Sequence, residues 1–229
     1  MTATPSLSIV IPVLDEAANM AAALEALAPL RARGTEVIVV DGGSVDETAT
    51  LGKPLADVVI ASARGRATQM NAGAAIAKGG VLLFLHADTR LPPDADELIR
   101  DGLTQSQRAW GRFDVAIDGK HPLLPLIAAF MNARSRLTGI ATGDQAMFVT
   151  RDAFTTAGGF PEIALMEDIE LSRRLKRISP PLCLHARATT SGRRWERRGV
   201  LRTILLMWRL RIAYFFGMSP ESLARRYNA

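Results

Sequence analysis

Cysteine is nearly absent from this sequence: Cys183 is the one example in 229 residues. A lone thiol excludes an internal disulfide framework and a zinc site of four thiolates, and it reads most simply as a small apolar residue of the interior. Long uncharged runs are missing as well. No stretch of 18 residues is free of charge, which excludes a comfortable membrane-spanning helix. The apolar segment at residues 7–14 is interrupted by Pro12, followed at once by Asp15 and Glu16, and preceded by no basic residue. That is not the layout of a signal peptide, so the expectation is a protein made and kept in the cytoplasm. No internal repeat and no low-complexity linker is visible. Acidic residues are scarce in one region only. Residues 173–229 carry 14 basic and 2 acidic side chains, a net of +12, whereas residues 1–172 carry 14 basic and 21 acidic, a net of −7. The acidic body argues against a whole-surface nucleic-acid binder, and the basic tail suits an anionic partner: a membrane surface, a phosphate-bearing ligand or nucleic acid.

What is present reads as one globular domain with an accessory element: 48% of residues are hydrophobic and 22% charged. Strands are expected at residues 7–12, 36–40, 57–61, 80–85, 111–117 and 146–149, as short apolar, β-branched runs closed by turn residues. Helices are expected at 17–33, from Asp46 to Leu51, and at 66–78, 93–107, 122–138, 151–157, from Glu167 to Arg177, and at 199–216. Strand and helix alternate four times in the first 90 residues, and the strands are apolar on both faces. This predicts an α/β fold with a mostly parallel, Rossmann-like sheet and helices on both faces, plus a C-terminal amphipathic helix. Ligands of such sheets bind beyond the carboxyl ends of the strands. Asp15 and Glu16, Asp41, and Asp88 all fall at such ends.

Asp41 precedes two glycines that let a ligand approach the backbone, so it suits a hydrogen bond to a nucleobase or sugar; the alternative is a turn aspartate, with Asp46 as the cap of the next helix. Asp88, in Leu85-His86-Ala87-Asp88, suits a hard divalent cation that brings diphosphate oxygens with it. In an extended segment His86 and Asp88 share a face; His86 by itself reads as a packed histidine. Arg64, Arg66 and Gln69 surround a helix start, which is either an anion site or a solvated basic turn. Glu167 and Asp168 open a helix between apolar neighbours, and either one acts as a general base or both complement the helix dipole.

Taken in order, these motifs resemble the family-2 glycosyltransferases of GT-A fold. The resemblance runs from residue 7 to about 217 through Ser8-Ile9-Val10-Ile11-Pro12, Val39-Val40-Asp41-Gly42-Gly43-Ser44, Asn71-Ala72-Gly73, Leu85-His86-Ala87-Asp88, Gly143-Asp144-Gln145, Gly158-Gly159-Phe160-Pro161 and Glu167-Asp168. The short length, residues 65–71 and residues 193–199 look like the selenodomain-associated branch. The resemblance implies three parts: a nucleotide-binding half at 1–95, an acceptor half at 96–192 and a basic amphipathic element at 193–229. It implies that Pro12, Asp15, Glu16, Asp41, Arg64, Arg66 and Gln69 bind the nucleotide, and that Asp88 holds Mg²⁺ or Mn²⁺ on the donor diphosphate. Asp168 is then the base with Glu167 beside it, and Gly143, Asp144, Gln145, Arg193, Arg194 and Trp195 lie on the acceptor side. The implied reaction is an inverting transfer from a nucleoside diphosphate sugar, a UDP-sugar by default, to a hydroxyl.

Two positions depart from the family pattern. His86 stands at the first position of the usual Asp-x-Asp, which leaves Asp88 as the metal ligand. Ser191 stands where processive members carry glutamine before Arg194-Trp195, which argues against processive synthesis. A sugar-phosphate nucleotidyltransferase would need a Gly-rich basic loop after the first strand, and Pro12-Val13-Leu14-Asp15-Glu16 is not one. A non-catalytic nucleotide-binding protein at a membrane surface is the remaining alternative. Residues 199–216 place apolar residues at helical spacing with arginines alongside. This is either an interfacial helix, implying peripheral attachment to the inner face of the membrane and a lipid-linked or membrane-proximal acceptor, or a helix packed on the body or at a dimer contact. A homodimer would use residues 122–138 or 200–216.

Overall fold

The protein is described by a computed structural model covering residues 6–228. Eight strands form one sheet: β1 (Leu7–Val13), β2 (Glu36–Asp41), β3 (Val58–Ala61), β4 (Val81–Phe84), β5 (Thr89–Arg90), β6 (Trp110–Asp118), β7 (Phe148–Thr150) and β8 (Leu182–Ser191). Their order across the sheet is β3-β2-β1-β4-β7-β6-β8-β5. β1 pairs in parallel with both β2 and β4, and β2 with β3. β7 runs antiparallel between β4 and β6, β6 is parallel to β8, and β5 closes antiparallel on β8. Pro12 lies opposite Val40 and Val13 opposite Asp41, so the loops leaving β1 and β2 emerge level with each other.

The central strands are apolar on both faces because both faces are covered. Ile9, Ile11, Val37, Val39 and Leu83 point toward Met20 and Leu24 of the helix Ala17–Glu25 and Ile99 and Leu103 of the helix Ala95–Ser106. The alternate residues Val10, Ile38, Val40, Leu82 and Phe84 point the other way, toward Met70 and Ala74 of the helix Arg66–Ile76 and Leu171 and Leu175 of the helix Glu167–Leu175. That is the period-2 alternation of a strand buried on two sides. Two of the sequence motifs are joined here. The Asn71 amide donates to Phe160 O (2.8 Å), and Phe160 N–H donates to Asn71 Oδ1 (2.9 Å). Gly159 has φ +66°, and a Cβ there would meet Asn71 Oδ1 at 2.9 Å, so that loop position calls for glycine.

Several expectations are corrected. The helix expected at 17–33 is two helices, Ala17–Glu25 and Ala28–Ala32, because Pro29 has no N–H to continue the ladder. Residues 86–88 form a turn rather than an extended segment, with Thr89 N–H donating to His86 O (3.0 Å), and both His86 and Asp88 line one cleft. The helix after Asp46 begins at Thr48, and Asp46 accepts from both Thr48 N–H (3.0 Å) and Ala17 N–H (3.1 Å), tying two helix starts together. Strand β8 carries no clear strand signature in its sequence. With only two-residue β5 on its outer side it is half-buried, so residues 185–191 look polar, and Cys183 is half-buried rather than deep in the core. At the C-terminus the arginine-rich helix Arg193–Arg198 and the helix Val200–Phe215 meet at Gly199 (φ +80°). An unexpected helix, Pro220–Asn228, packs Leu223 against Leu210 and Met166.

Candidate active site

A cleft of about 430 Å³ opens beyond the carboxyl ends of β1 and β4. Its walls come from the loop after β1, the start of the helix Arg66–Ile76, the turn Gly143–Gln145, the start of the helix Glu167–Leu175, the end of β8 and the C-terminal helices. Pro12, Glu16, Arg64, Arg66, Gln69, Asp88, Gly143, Asp144, Glu167, Asp168, Arg194 and Trp195 all line it, although they are scattered over 184 positions of the chain.

Four expected residues do not line the cleft, and each has a visible task. Asp41 is turned into its own loop, where it accepts from Gly43 N–H (3.2 Å), from Ser44 N–H (3.0 Å) and from the Ser44 hydroxyl. Asp15, at φ +53°, accepts from Val45 N–H (2.9 Å), while its own N–H donates to Ser44 Oγ (2.9 Å). These bonds lock the loops after β1 and β2 to each other. Gln145 is fully buried and closes a capping box with Thr142. Arg193 donates to Ser191 Oγ (3.0 Å) and Asn19 Oδ1 (3.3 Å), away from the cleft. Gln69 reaches the cleft wall but spends its amide beneath it, donating to Val13 O and Val40 O at 2.8 Å each. It thereby fixes the ends of β1 and β2.

Asp88 is exposed, and its carboxylate has only a long 3.5 Å approach from the Thr89 hydroxyl. His86 is half-buried, with Nδ1 3.6 Å from Asp144 Oδ1. A Cβ at Gly143 would strike its ring at 2.4 Å, so the glycine of the Gly143-Asp144-Gln145 motif makes room for this histidine. Partial burial pushes the Asp144 carboxyl up, but contact with His86 and the charges of Arg66 and Arg194 outweigh it and hold the group below the usual carboxylate range.

Asp168 is held by two backbone amides: Gly143 N–H donates to Oδ2 (3.0 Å) and Ile169 N–H to Oδ1 (2.7 Å). Met166, just before this helix, adopts φ +74°. A left-handed methionine costs about 1 kcal/mol or more. The conformation aims the two acids of the first turn into the cleft. Glu167 is buried, with Oε1 3.6 Å from Arg66 Nη1. Burial, and then repulsion from Asp168, push its carboxyl above the ordinary range against the pull of Arg66. A raised folded-state pKa makes the protonated form the stabilising one. Its contribution is complete at pH below the ordinary glutamate value and is lost as pH rises through the raised value. Glu167→Gln is therefore expected to stabilise the protein by about 1 kcal/mol near neutral pH. That gain should shrink toward zero in acid, and urea unfolding of both forms at the two pH values measures it.

Three cationic or aromatic groups of the site escaped the sequence reading. Arg211, with Thr203 and Met207, lines the cleft from the helix Val200–Phe215, and Tyr227 does so from the last helix. The Arg194 guanidinium stacks 4.8 Å over the Tyr227 ring. Arg134, from the helix Leu124–Thr138, has Nε and Nη2 buried without hydrogen-bond partners. Burial, together with the nearby charge of Arg211, pushes it down to about 10, with Asp168 pulling the other way. Burial lowers Arg211 as well, against the attraction of Asp168 and Asp144. A helical spacing of four, 203-207-211, was the signal available, but the same residues fitted a packed helix equally well.

Comparison with known proteins matches this arrangement to one family. The pattern described as Glycosyl transferase family 2 matches residues 8–160. The PGL/p-HBAD biosynthesis glycosyltransferase of Mycobacterium tuberculosis (strain ATCC 25618 / H37Rv) is 38% identical over 105 residues, which is 43% of this chain and 41% of the relative. The match thus spans less than half the length of these mycobacterial proteins. Among solved structures, S. aureus TarS 1-349 in complex with UDP-GlcNAc aligns with a TM-score of 0.67 at 15% identity, covering 81% of this chain and 58% of that one. The mannosyltransferase PcManGT from Pyrobaculum calidifontis, in complex with GDP-Man and Mn²⁺, aligns with a TM-score of 0.66 at 19% identity, covering 99% and 70%. At such identities the likeness speaks for the fold, and that fold is GT-A.

Proposed function

The chain belongs to glycosyl transferase family 2, and from that membership we propose that it moves a sugar from a nucleoside diphosphate sugar to an acceptor hydroxyl in a single, inverting displacement. The observation that carries this reading is Asp168, an acid in the cleft whose two oxygens are fixed by backbone amides of Gly143 and Ile169. A carboxylate held in one orientation at the wall of such a cleft is built to accept a hydroxyl proton as the oxygen attacks the anomeric carbon. Attack opposite the leaving group inverts that carbon. Glu167, buried at its side, adds negative charge next to Asp168, and Arg66 tempers it.

The donor is assigned to the loop after β1 and to Arg64 and Arg66, whose guanidiniums flank a helix start, a favourable place for a diphosphate. TarS binds UDP-GlcNAc and PcManGT binds GDP-Man, which supports a nucleotide-sugar donor here; a UDP-sugar is our first choice. The donor atoms fit a divalent cation of the Mg²⁺ or Mn²⁺ kind only in part. Among the described residues no group of three or more His, Cys, Asp or Glu is placed to hold a metal. Asp88 supplies one open carboxylate at the cleft. One carboxylate with diphosphate oxygens completing the shell is a normal arrangement for Mg²⁺. When bound, such an ion supplies neutralisation of the charge that builds on the departing diphosphate. Arg66 and Arg194 bring positive charge to the same cleft from the protein itself. The acceptor side is assigned to Gly143, Asp144, Arg194 and Trp195.

Titration calorimetry with UDP and with GDP, each with and without Mn²⁺, tests this on the native protein and on Asp88→Ala. We expect one nucleotide to bind, Mn²⁺ to tighten it by about tenfold or more, and Asp88→Ala to abolish the metal effect. No binding of either nucleotide under any condition would overturn the donor assignment. Binding indifferent to Mn²⁺ would remove the cation from the reading and leave the pocket.

A further inference from the structure

The helix Val200–Phe215 has two working faces. Thr203, Met207 and Arg211 line the cleft. Leu201, Leu205, Trp208, Ile212 and Phe215 project on the other side, with exposures from 52% for Ile212 to 85% for Phe215. Their spacing of four, three, four, three makes one continuous stripe. The neighbouring helix Leu124–Thr138 extends it. Both helices contribute their first halves to a shared apolar seam, Leu124, Ile127 and Met131 against Val200 and Ile204, and further along Arg134 lies near Arg211, so they run side by side in the same direction. The helical period then sets Leu126 (53% exposed) and Phe130 (68%) on the same side of the seam as Leu201 and Trp208. A patch of this extent is far more than the scattered exposed leucines of an ordinary surface.

Charge identifies the occupant. Residues 193–216 hold seven arginines and a single acid, Glu196, and Arg202 and Arg209 are exposed beside the stripe. A second copy docked on this face by a two-fold axis would bring the same cationic flanks together. An anionic lipid surface would instead take the aromatic and aliphatic residues into its interface and pair its headgroups with the arginines. No described helix is long and apolar enough to cross a membrane, and a stripe with arginine flanks is suited to lying in the interface plane.

We propose that the outer face of the helices Leu124–Thr138 and Val200–Phe215 is a docking surface for an anionic lipid bilayer. Docking there leaves the cleft one helix diameter, about 10 Å, from the headgroups. An acceptor carried on a lipid would then be met without leaving the surface, a consequence that rests on the transferase reading, whereas the docking itself does not.

Vesicle flotation of the full chain tests this, using phosphatidylcholine alone and phosphatidylcholine with about one third phosphatidylglycerol. The bound fraction should be at least about tenfold higher on the anionic vesicles and fall with added salt. Trp208 should shift its emission to the blue on binding, while buried Trp110 stays silent. The exposed double substitution Leu205→Glu with Trp208→Glu should lower binding by about tenfold or more. Arg202→Glu with Arg209→Glu should remove the preference for anionic lipid. Unchanged thermal unfolding and unchanged nucleotide binding would show that these variants keep the fold and the cleft. Absence of vesicle binding by the native protein, or equal binding by the stripe variant, would overturn the proposal. A dimer in sedimentation velocity that the stripe variant dissociates, without vesicle binding, would overturn it in favour of a second copy.

Discussion

Asp168→Asn is expected to slow sugar transfer by about 10²–10⁴-fold, the usual worth of a general base. The amide cannot take a proton from the attacking hydroxyl, yet it matches the carboxylate in size. The cost to stability should be small. One oxygen remains to accept from either Ile169 N–H or Gly143 N–H, and the other amide donor is left facing an NH₂ group. That loss is about 1 kcal/mol, and relief of the repulsion with buried Glu167 offsets part of it. The measurement is a single-turnover rate at saturating donor, with the dissociation constant of the nucleotide as control. A large fall in rate with unchanged nucleotide binding fits a base. Full activity in Asp168→Asn together with a collapse in Glu167→Gln would assign the base to Glu167 instead.

Gly73→Ala should destabilise the protein by about 2–3 kcal/mol, although the residue lies inside a helix where alanine is the better helix former by about 1 kcal/mol. Packing overrides propensity at this point. A Cβ on Gly73 would fall 2.4 Å from Val10 Cγ1 and 2.9 Å from Val40 Cγ2. Both valines are fully buried in β1 and β2 and have nowhere to move. Gly102 is the internal control. It lies in the helix Ala95–Ser106, and its new methyl would meet the tip of Leu182 at 2.7 Å. A half-buried leucine at a poorly covered strand can turn aside, so Gly102→Ala should be near neutral. Urea unfolding of the two variants compares them directly; equal effects would mean that the helix Arg66–Ile76 is not seated on β1 and β2 as closely as the distances require.

The features legible along the chain are local and periodic. The runs Leu7–Val13, Glu36–Asp41 and Val81–Phe84 announce strands because buried strands need apolar side chains at every position. The acids after them announce a strand-end site because the chain must turn there and ligands enter there. Glu167 and Asp168 were legible as a pair for a similar reason: two acids opening a helix among apolar neighbours stand out in one dimension.

Which side chains face the cleft and which support it follows from long-range contacts. Asp41, Gln69 and Gln145 have the chemistry of ligands, but their hydrogen bonds go to Ser44, to Val13 and Val40, and to Thr142. Arg134 and Arg211 meet beside Asp168 although 77 residues separate them, and β8 exists because β6 pairs with it along its length, not because of its own composition. The physical reason is the same in each case. A polar group's partner is set by whichever backbone or charge folding brings within about 3 Å, and that neighbour belongs to another segment whose position no local pattern specifies.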